Sequence, residues 1–151
     1  MACLIIDNCV VSRIFFGGAT DPDYGSLYSR IFSGTNNVRV VIAYGGKLLR
    51  EYQGSPELVR RLNELGRGGN AVAYDSAIVD AETNKLVANG NCKSDDEHII
   101  ALALVSGARI LCTTDADLMD DFRDRLLLAP QGKIYSHASH DLMLRRKCPK
   151  H

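Results

Sequence analysis

Three carboxylates stand at places in the sequence where metal-assisted chemistry could occur. Asp7 ends an apolar run that is typical of a buried strand, and Asp115 comes shortly after a second such run. Asp96 precedes the apolar segment Ile99–Val105, in which the residues three, four and seven positions on continue its helix face into the core. Because the carboxyl ends of parallel strands face one crevice, we expect the three acids to lie close together.

A cluster of carboxylates needs a cation, because two like charges about 4 Å apart repel by roughly 4 kcal/mol at an effective dielectric of about 20. Ligands that are all oxygen favour a hard ion, and we predict Mg²⁺ or Mn²⁺. Such an ion can activate water and stabilise charge on a phosphodiester oxygen. His98, two residues after Asp96, is predicted to point away from the acids and to serve packing or a helix-end hydrogen bond.

Several acids also have ordinary structural explanations. Asp7 could cap the turn that follows it. Ser94 and Glu97 have the spacing of a capping box at the start of the apolar helix. Asp120 and Asp124 are expected to form a solvated helix face.

Apolar runs of about five residues alternate with segments of helical periodicity, which is typical of βα units around a parallel sheet. The predicted strands are Ala2–Asp7, Val38–Ala43, Ala71–Tyr74, Arg109–Thr113 and Gly132–Tyr135. The predicted helices are Tyr24–Phe32, Lys47–Tyr52, Ser55–Leu65, one within Tyr74–Val87, Asp95–Ser106, one that starts near Asp115, and Asp141–Lys147. We therefore predict an α/β fold, a three-layer α/β/α sandwich with a mainly parallel central sheet. Residues 1–151 would form one domain, with residues 142–151 as a flexible basic tail.

Composition favours an ordinary globular protein. Of the 151 residues, 46% are hydrophobic and 24% charged, which argues against disorder and collagen-like repeats. The longest apolar run is too short to cross a bilayer, so no membrane partner is expected. Five irregularly spaced cysteines predict a reduced, cytoplasmic protein without a disulfide framework. The net charge is zero, yet residues 75–124 hold 11 of the 18 acids and 4 of the 18 basic residues, so the basic remainder could hold a polyanion.

Further motifs connect the three acids in a defined order. Asp7 closes the first strand and is followed by Val10, Val11 and Ser12, and an acid lies in the short helix after the second strand. In the run DDEHIIALALVSGARILCTTDADL, over residues 95–118, an acid opens an Ala-rich helix, a Gly-Ala turn ends it, and the next strand finishes in Thr-Asp. This order resembles the PIN domain of metal-dependent nucleases, which include toxin ribonucleases. The resemblance covers nearly the whole chain.

The resemblance implies a Mg²⁺- or Mn²⁺-dependent endoribonuclease that leaves a 5′-phosphate and a 3′-hydroxyl. It implies that Glu51, in GGKLLREY, is a catalytic metal ligand together with Asp7, Asp96 and Asp115. Pairing with Lys47 four residues earlier is the structural alternative for Glu51. The resemblance further implies that Asp117 is an additional metal ligand and that the supporting residues are Asn8, Thr114 and Asp121. Asn8 would substitute for a hydroxyl that many relatives carry after the first Asp.

The predicted partners follow from charge and from the resemblance. Basic residues outside the acidic region are candidates for gripping an RNA backbone, namely Arg13, Lys47, Arg50, Arg60 and Arg61. A protein antitoxin and a second copy of the chain, as in a homodimer, are further predicted partners. Two alternative functions stay open. One is a catalytically silent PIN-like module for RNA binding or assembly, and the other is a Toprim-type phosphotransfer enzyme, to whose sites the Asp115 and Asp117 pair is similar.

Overall fold

The structure, a computed structural model, describes residues 1–32, 38–43 and 46–148. Its strands are β1 Ala2–Ile6, β2 Val38–Ala43, β3 Ala71–Tyr74, β4 Ile110–Cys112 and β5 Lys133–Ile134. Its α-helices are α1 Asn8–Gly17, α2 Gly25–Phe32, α3 Gly46–Tyr52, α4 Pro56–Arg67, α5 Ser76–Asn89, α6 Glu97–Ser106 and α7 Ala116–Phe122. A 3₁₀ helix covers Ala138–Arg145. Across the described ranges, none of the helices combines the length and apolarity that a bilayer crossing requires.

The strands form one sheet in the order β3-β2-β1-β4-β5, and every neighbouring pair is parallel. Helices flank this sheet, so the fold is a three-layer α/β/α sandwich, as the alternating sequence pattern predicts. Strand β1 lies in the centre, and all five of its residues are buried. Such a continuous apolar run is expected where helices cover both faces of a parallel strand.

The pairing of β1 with β4 confirms that the two strands predicted to carry Asp7 and to precede Asp115 are neighbours. Ile6 aligns with Cys112, and the Asp7 N–H donates to the Cys112 carbonyl at 2.9 Å. Continuing the register by one residue sets Asp7 beside Thr113. The carboxyl edge of the sheet therefore presents a carboxylate and a hydroxyl side by side.

Helix α1, directly after Asp7, is the main departure from the predicted elements. Its first turn contains Cys9 and two valines, which have low helix propensity, and the sequence pattern predicts no helix there. In the structure, the Asp7 Oδ1 accepts a hydrogen bond from the Asn8 N–H at 2.8 Å and caps the helix. The buried face of the helix consists of Val10, Val11, Ile14 and Phe15. Capping together with burial of this face outweighs the weak propensity.

Helix α6 is the buried helix that the sequence predicts, but it begins later than expected. The predicted capping box is wrong, because the Ser94 hydroxyl instead accepts from the Asp96 N–H at 3.3 Å and donates to Asp121 at 2.8 Å. Asp96 occupies the N-cap position, and its carboxylate makes no capping hydrogen bond. Gly107, at φ 79°, ends the helix as predicted.

The predicted basic tail packs against the fold over the part that the structure describes. The 3₁₀ helix Ala138–Arg145 overlaps the helix predicted over Asp141–Lys147 but begins three residues earlier and ends two residues earlier, and its Leu144 is buried. The Cys148 N–H donates to the Met1 carbonyl at 2.8 Å. The last residues of the predicted tail, 149–151, lie outside the described residues.

A disulfide joins Cys3 in β1 to Cys148. The prediction that all cysteines are reduced is therefore wrong for this pair. The two residues are 145 positions apart in sequence, so their spacing gives no sign of the pairing, whereas the fold brings their Cα atoms to 5.2 Å. Cys9, Cys92 and Cys112 are free thiols.

We expect thiol counting to detect this bond directly. Denatured, non-reduced protein should show the three thiols of Cys9, Cys92 and Cys112, and two more should appear after reduction. Cys148→Ser should add one thiol, that of Cys3, to the non-reduced count, whereas the control Cys92→Ser should remove one. A full set of free thiols in protein purified without reductant would contradict the pairing.

Candidate metal centre

Side chains from α3 and from the start of α6 converge on one point. Ligand atoms of Glu51, Asp96 and His98 all lie within 4.8 Å of one another. Within residues 1–32, 38–43 and 46–148, this is the one group of three or more His, Cys, Asp or Glu side chains with that spacing. Two carboxylates and an imidazole at this separation can hold a metal ion.

Helix α3 presents Glu51 because the following residue is anchored in the core. Tyr52 is buried, and its hydroxyl donates to the carbonyl oxygen of Ile6, the last residue of β1. Leu48 on the same helix is also buried. A buried tyrosine needs a hydrogen-bond partner, so Tyr52 ties α3 to the end of the central strand and positions its neighbour Glu51. The predicted helix Lys47–Tyr52 is confirmed, with one residue added at its start.

His98 belongs to the site, contrary to the prediction that it points away from the acids. Only 8% of it is exposed, and its Nε2 is buried without a hydrogen-bond partner. Burial, with the charges of Lys47 and Arg50, lowers the pKa of His98 to about 4, while the Asp7 charge opposes this. The ring is therefore neutral at pH 7 and has a nitrogen lone pair to offer. The prediction assumed a regular helical turn from Asp96 onwards, whereas Asp96 is the N-cap and α6 begins at Glu97.

The two carboxylates of the group are held in an environment that disfavours their ionised forms. Partial burial is the largest cause that raises the pKa of Glu51 and that of Asp96, and the nearby Asp7 charge raises both further. Lys47 opposes these effects, with its Nζ 3.8 Å from the Asp96 Oδ1. The ion pair expected between Lys47 and Glu51 is thus made with Asp96. A bound cation would relieve the repulsion that remains among the acids.

Asp7 lies beside the group of three and is not one of its members. It is 6% exposed, and its Oδ2 accepts from the Thr113 hydroxyl at 2.8 Å and from the Cys9 thiol at 3.3 Å. Its Oδ1 caps α1, as the structural explanation for this residue predicts. Asp7 therefore has a capping role and also lies close to the site. The effect of its charge on the pKa values of Glu51 and Asp96 places it in the same electrostatic cluster.

The hydroxyl that supports Asp7 comes from Thr113, which sequence reasoning missed in favour of Thr114. Thr113 is fully buried, whereas Thr114 is exposed and its hydroxyl lies 3.4 Å from the Cys9 sulfur. Asn8 is exposed and contacts Asp7 through its backbone N–H. The parallel register of β1 and β4 was the signal that could have identified Thr113.

Asp115 and Asp117 lie at the start of α7, outside the group of three. The Asp115 Oδ1 accepts from the Leu118 N–H at 3.1 Å and caps the helix. Its charge nevertheless raises the pKa of Asp96, so it stands close to the site. Asp117 is exposed in the first turn of the helix. The structure thus brings together Glu51 and Asp96 of the predicted ligands, with Asp7 and Asp115 around them.

Asp121 has a positioning role that the sequence left undefined. It is 2% exposed, and its carboxylate accepts from the Lys93 N–H, the Ser94 N–H and the Ser94 hydroxyl at 2.8–2.9 Å. These bonds fix the segment immediately before Asp96. Asp121 therefore holds the segment that leads into Asp96 and is not itself a member of the group of three.

Two of the predicted RNA-binding residues lie at the site. Lys47 and Arg50 line an open groove together with His98, and α5 supplies Thr83 and Asn84 to the same groove. Both basic residues are exposed. The groove carries charges of both signs, because its lining also includes Asp80, Asp95 and Glu97.

The other three predicted RNA-binding residues make ion pairs or hydrogen bonds within the fold. The Arg13 Nε lies 3.1 Å from the Asp21 Oδ2, and Arg60 forms ion pairs with glutamates on its own helix. Arg61 donates to the Phe15 carbonyl at 2.6 Å. Arg61 thus joins α4 to α1, Arg13 joins α1 to the loop before α2, and Arg60 pairs within α4.

No known protein family, curated protein or solved structure matches this chain. The similarity to PIN domains therefore rests on the sequence motifs alone.

Proposed function

We propose that the protein is a metal-dependent endoribonuclease that hydrolyses RNA phosphodiester bonds with Mg²⁺ or Mn²⁺. The observation that carries this proposal is the approach of Glu51 and Asp96 to within 4.8 Å, with the charge of Asp7 acting on both carboxyl groups and that of Asp115 acting on Asp96. Asp7 and Asp115 also cap helices, whereas the carboxylates of Glu51 and Asp96 approach each other without capping a helix, and a cation between them would offset their repulsion. The donor set also fits a metal, since the buried His98 Nε2 has no partner in the protein.

The surroundings of these acids support a phosphodiester as the substrate. A divalent ion held there supplies activation of water and stabilises charge on a phosphodiester oxygen. Lys47 and Arg50 at the groove would bind phosphate oxygens of the flanking backbone, which positions the strand without reading its sequence. Thr113 and Cys9 hold the Asp7 carboxylate in place by hydrogen bonds to its Oδ2. In this proposal the acids hold the ion, and the two basic residues bind the RNA backbone.

The proposal is tested by incubating the purified protein with a mixed single-stranded RNA pool in Mn²⁺, in Mg²⁺ or in EDTA. We expect cleavage with either metal, none with EDTA, and products that carry a 5′-phosphate. Glu51→Gln should reduce the rate by at least about tenfold, because it removes a charged ligand. Glu64→Gln is the matched control, since Glu64 is exposed on α4 and pairs with Arg60.

Absence of metal-dependent cleavage by the wild-type protein would overturn the assignment. Equal rates for the folded Glu51→Gln and Glu64→Gln variants would also count against it. A DNA pool of the same sequences, run in parallel, distinguishes a ribonuclease from a nuclease that accepts both polymers.

A further inference from the structure

The buried imidazole of His98 is the part of the site that the predicted all-oxygen ligand set does not include. One of its ring nitrogens lies within 4.8 Å of carboxylate oxygens of both Glu51 and Asp96. Its Nε2 is the one buried side-chain nitrogen or oxygen in the described part of the chain that lacks a hydrogen-bond partner. A buried polar atom without a partner costs about 1–3 kcal/mol, so such atoms call for an explanation.

We propose that His98 is a metal ligand, and that the site consequently binds a first-row transition ion of the Mn²⁺, Co²⁺ and Zn²⁺ class more tightly than Mg²⁺. Imidazole nitrogen suits these ions, whereas Mg²⁺ prefers oxygen ligands and retains several waters. The inference rests on the metal site of the proposed function. It goes further by adding a nitrogen ligand and by ranking transition ions above Mg²⁺.

The packing around His98 supports a ligand role over a purely structural one. The residue lies in the first turn of α6, which is followed by a continuous buried segment that needs no polar anchor. Carboxylates lie near the ring, yet none of them hydrogen-bonds to the buried Nε2. Within the group of three, both remaining members are carboxylates, and a cation between them would use the imidazole lone pair.

Cobalt binding tests the inference without relying on catalysis. Metal-free protein is titrated with Co²⁺ while the visible absorption and the paramagnetically shifted proton resonances are recorded. We expect saturation at one equivalent, a shifted imidazole resonance, and little displacement by about a hundredfold excess of Mg²⁺. A Mg²⁺ affinity equal to that for Co²⁺ would overturn the inference.

Variants of His98 separate a ligand from a packing residue. His98→Leu should weaken Co²⁺ binding by about 100-fold or more, since even residues that merely orient a ligand cost about 10–100-fold. Without metal it should be at least as stable as the wild type, because the unpartnered nitrogen is gone. His98→Gln provides a second, polar replacement, and His137→Ala is the control at an exposed histidine. Unchanged Co²⁺ affinity and an unchanged imidazole resonance in either folded His98 variant would overturn the inference.

The two proposals fail in different ways. RNA cleavage with Mg²⁺ that is insensitive to His98 replacement would reject the ligand role of His98 and leave the nuclease standing. A His98-dependent Co²⁺ spectrum in a protein that cleaves no RNA under any metal would support the site and reject the nuclease.

Discussion

Asp96→Asn is expected to reduce metal-dependent RNA cleavage by at least about 100-fold, the upper end of the cost of perturbing residues that only orient metal ligands. Asp96 is the acid at which the cluster converges. It belongs to the group of three with Glu51 and His98, and its pKa is raised chiefly by burial and further by the charges of Asp7 and Asp115, against the opposing charge of Lys47. The amide keeps the shape of the side chain and removes the charge that a cation would require. Initial rates on the RNA pool in Mn²⁺ measure the effect.

The same substitution should not destabilise the metal-free protein. A raised pKa means that the ionised carboxyl is less favourable in the folded chain than in the unfolded one, so the neutral amide avoids a penalty. The 3.8 Å pair with Lys47 is lost, but its effect on the pKa is smaller than that of burial and of Asp7. Urea unfolding in EDTA should therefore give Asp96→Asn a free energy of unfolding equal to or above that of the wild type. Loss of activity with retained stability is the expected pattern for a ligand.

Asp95→Asn is the matched control at the adjacent position. The Asp95 side chain is exposed, and its contact with Lys47 runs through the backbone carbonyl, which the substitution leaves intact. Its cleavage rate should stay within about twofold of the wild type, as for an ordinary surface change. Comparable losses in both variants would point to a general effect of negative charge near the groove and would contradict a specific role for Asp96.

The parts of the site that could be predicted are those fixed by strand order. Apolar runs and turn residues predict the strands, and a parallel sheet brings the carboxyl ends of neighbouring strands to one edge. The placement of Asp7 next to the segment that follows β4 needs no more than this. Glu51 differs, because only the resemblance implied it, and its placement depends on the tertiary contact of Tyr52 with the Ile6 carbonyl.

The parts that could not be predicted depend on tertiary contacts. His98 reaches the acids because α6 begins at Glu97, which changes the relation between Asp96 and the helix faces. The start of α6 is set by hydrogen bonds between Ser94 and Asp121, two residues that are 27 positions apart in sequence. Helix α1 forms against its propensity because Asp7 caps it and the core covers it. The local spacing of residues in the sequence predicts neither the start of α6 nor the formation of α1.

Asp121→Ala is expected to lower the free energy of unfolding by about 3 kcal/mol or more, because it leaves two backbone N–H groups and one hydroxyl without their acceptor. The side chain is 2% exposed, so water does not easily replace it. These groups belong to Lys93 and Ser94, in the segment that leads into Asp96. We therefore expect both the urea midpoint and the RNA cleavage rate to fall. Asp121→Asn, which keeps one acceptor oxygen, should lie between alanine and the wild type.

Asp120→Ala supplies the comparison for this position. Asp120 precedes Asp121 on α7, is 52% exposed at its side chain, and pairs with Lys93 at 3.4 Å. An exposed pair of this kind contributes about 1 kcal/mol or less, so its loss should leave stability and cleavage nearly unchanged. If Asp121→Ala were as stable as Asp120→Ala, the Lys93 and Ser94 donors would have other acceptors. The position of Asp96 would then depend on contacts within α6 and not on the carboxylate of α7.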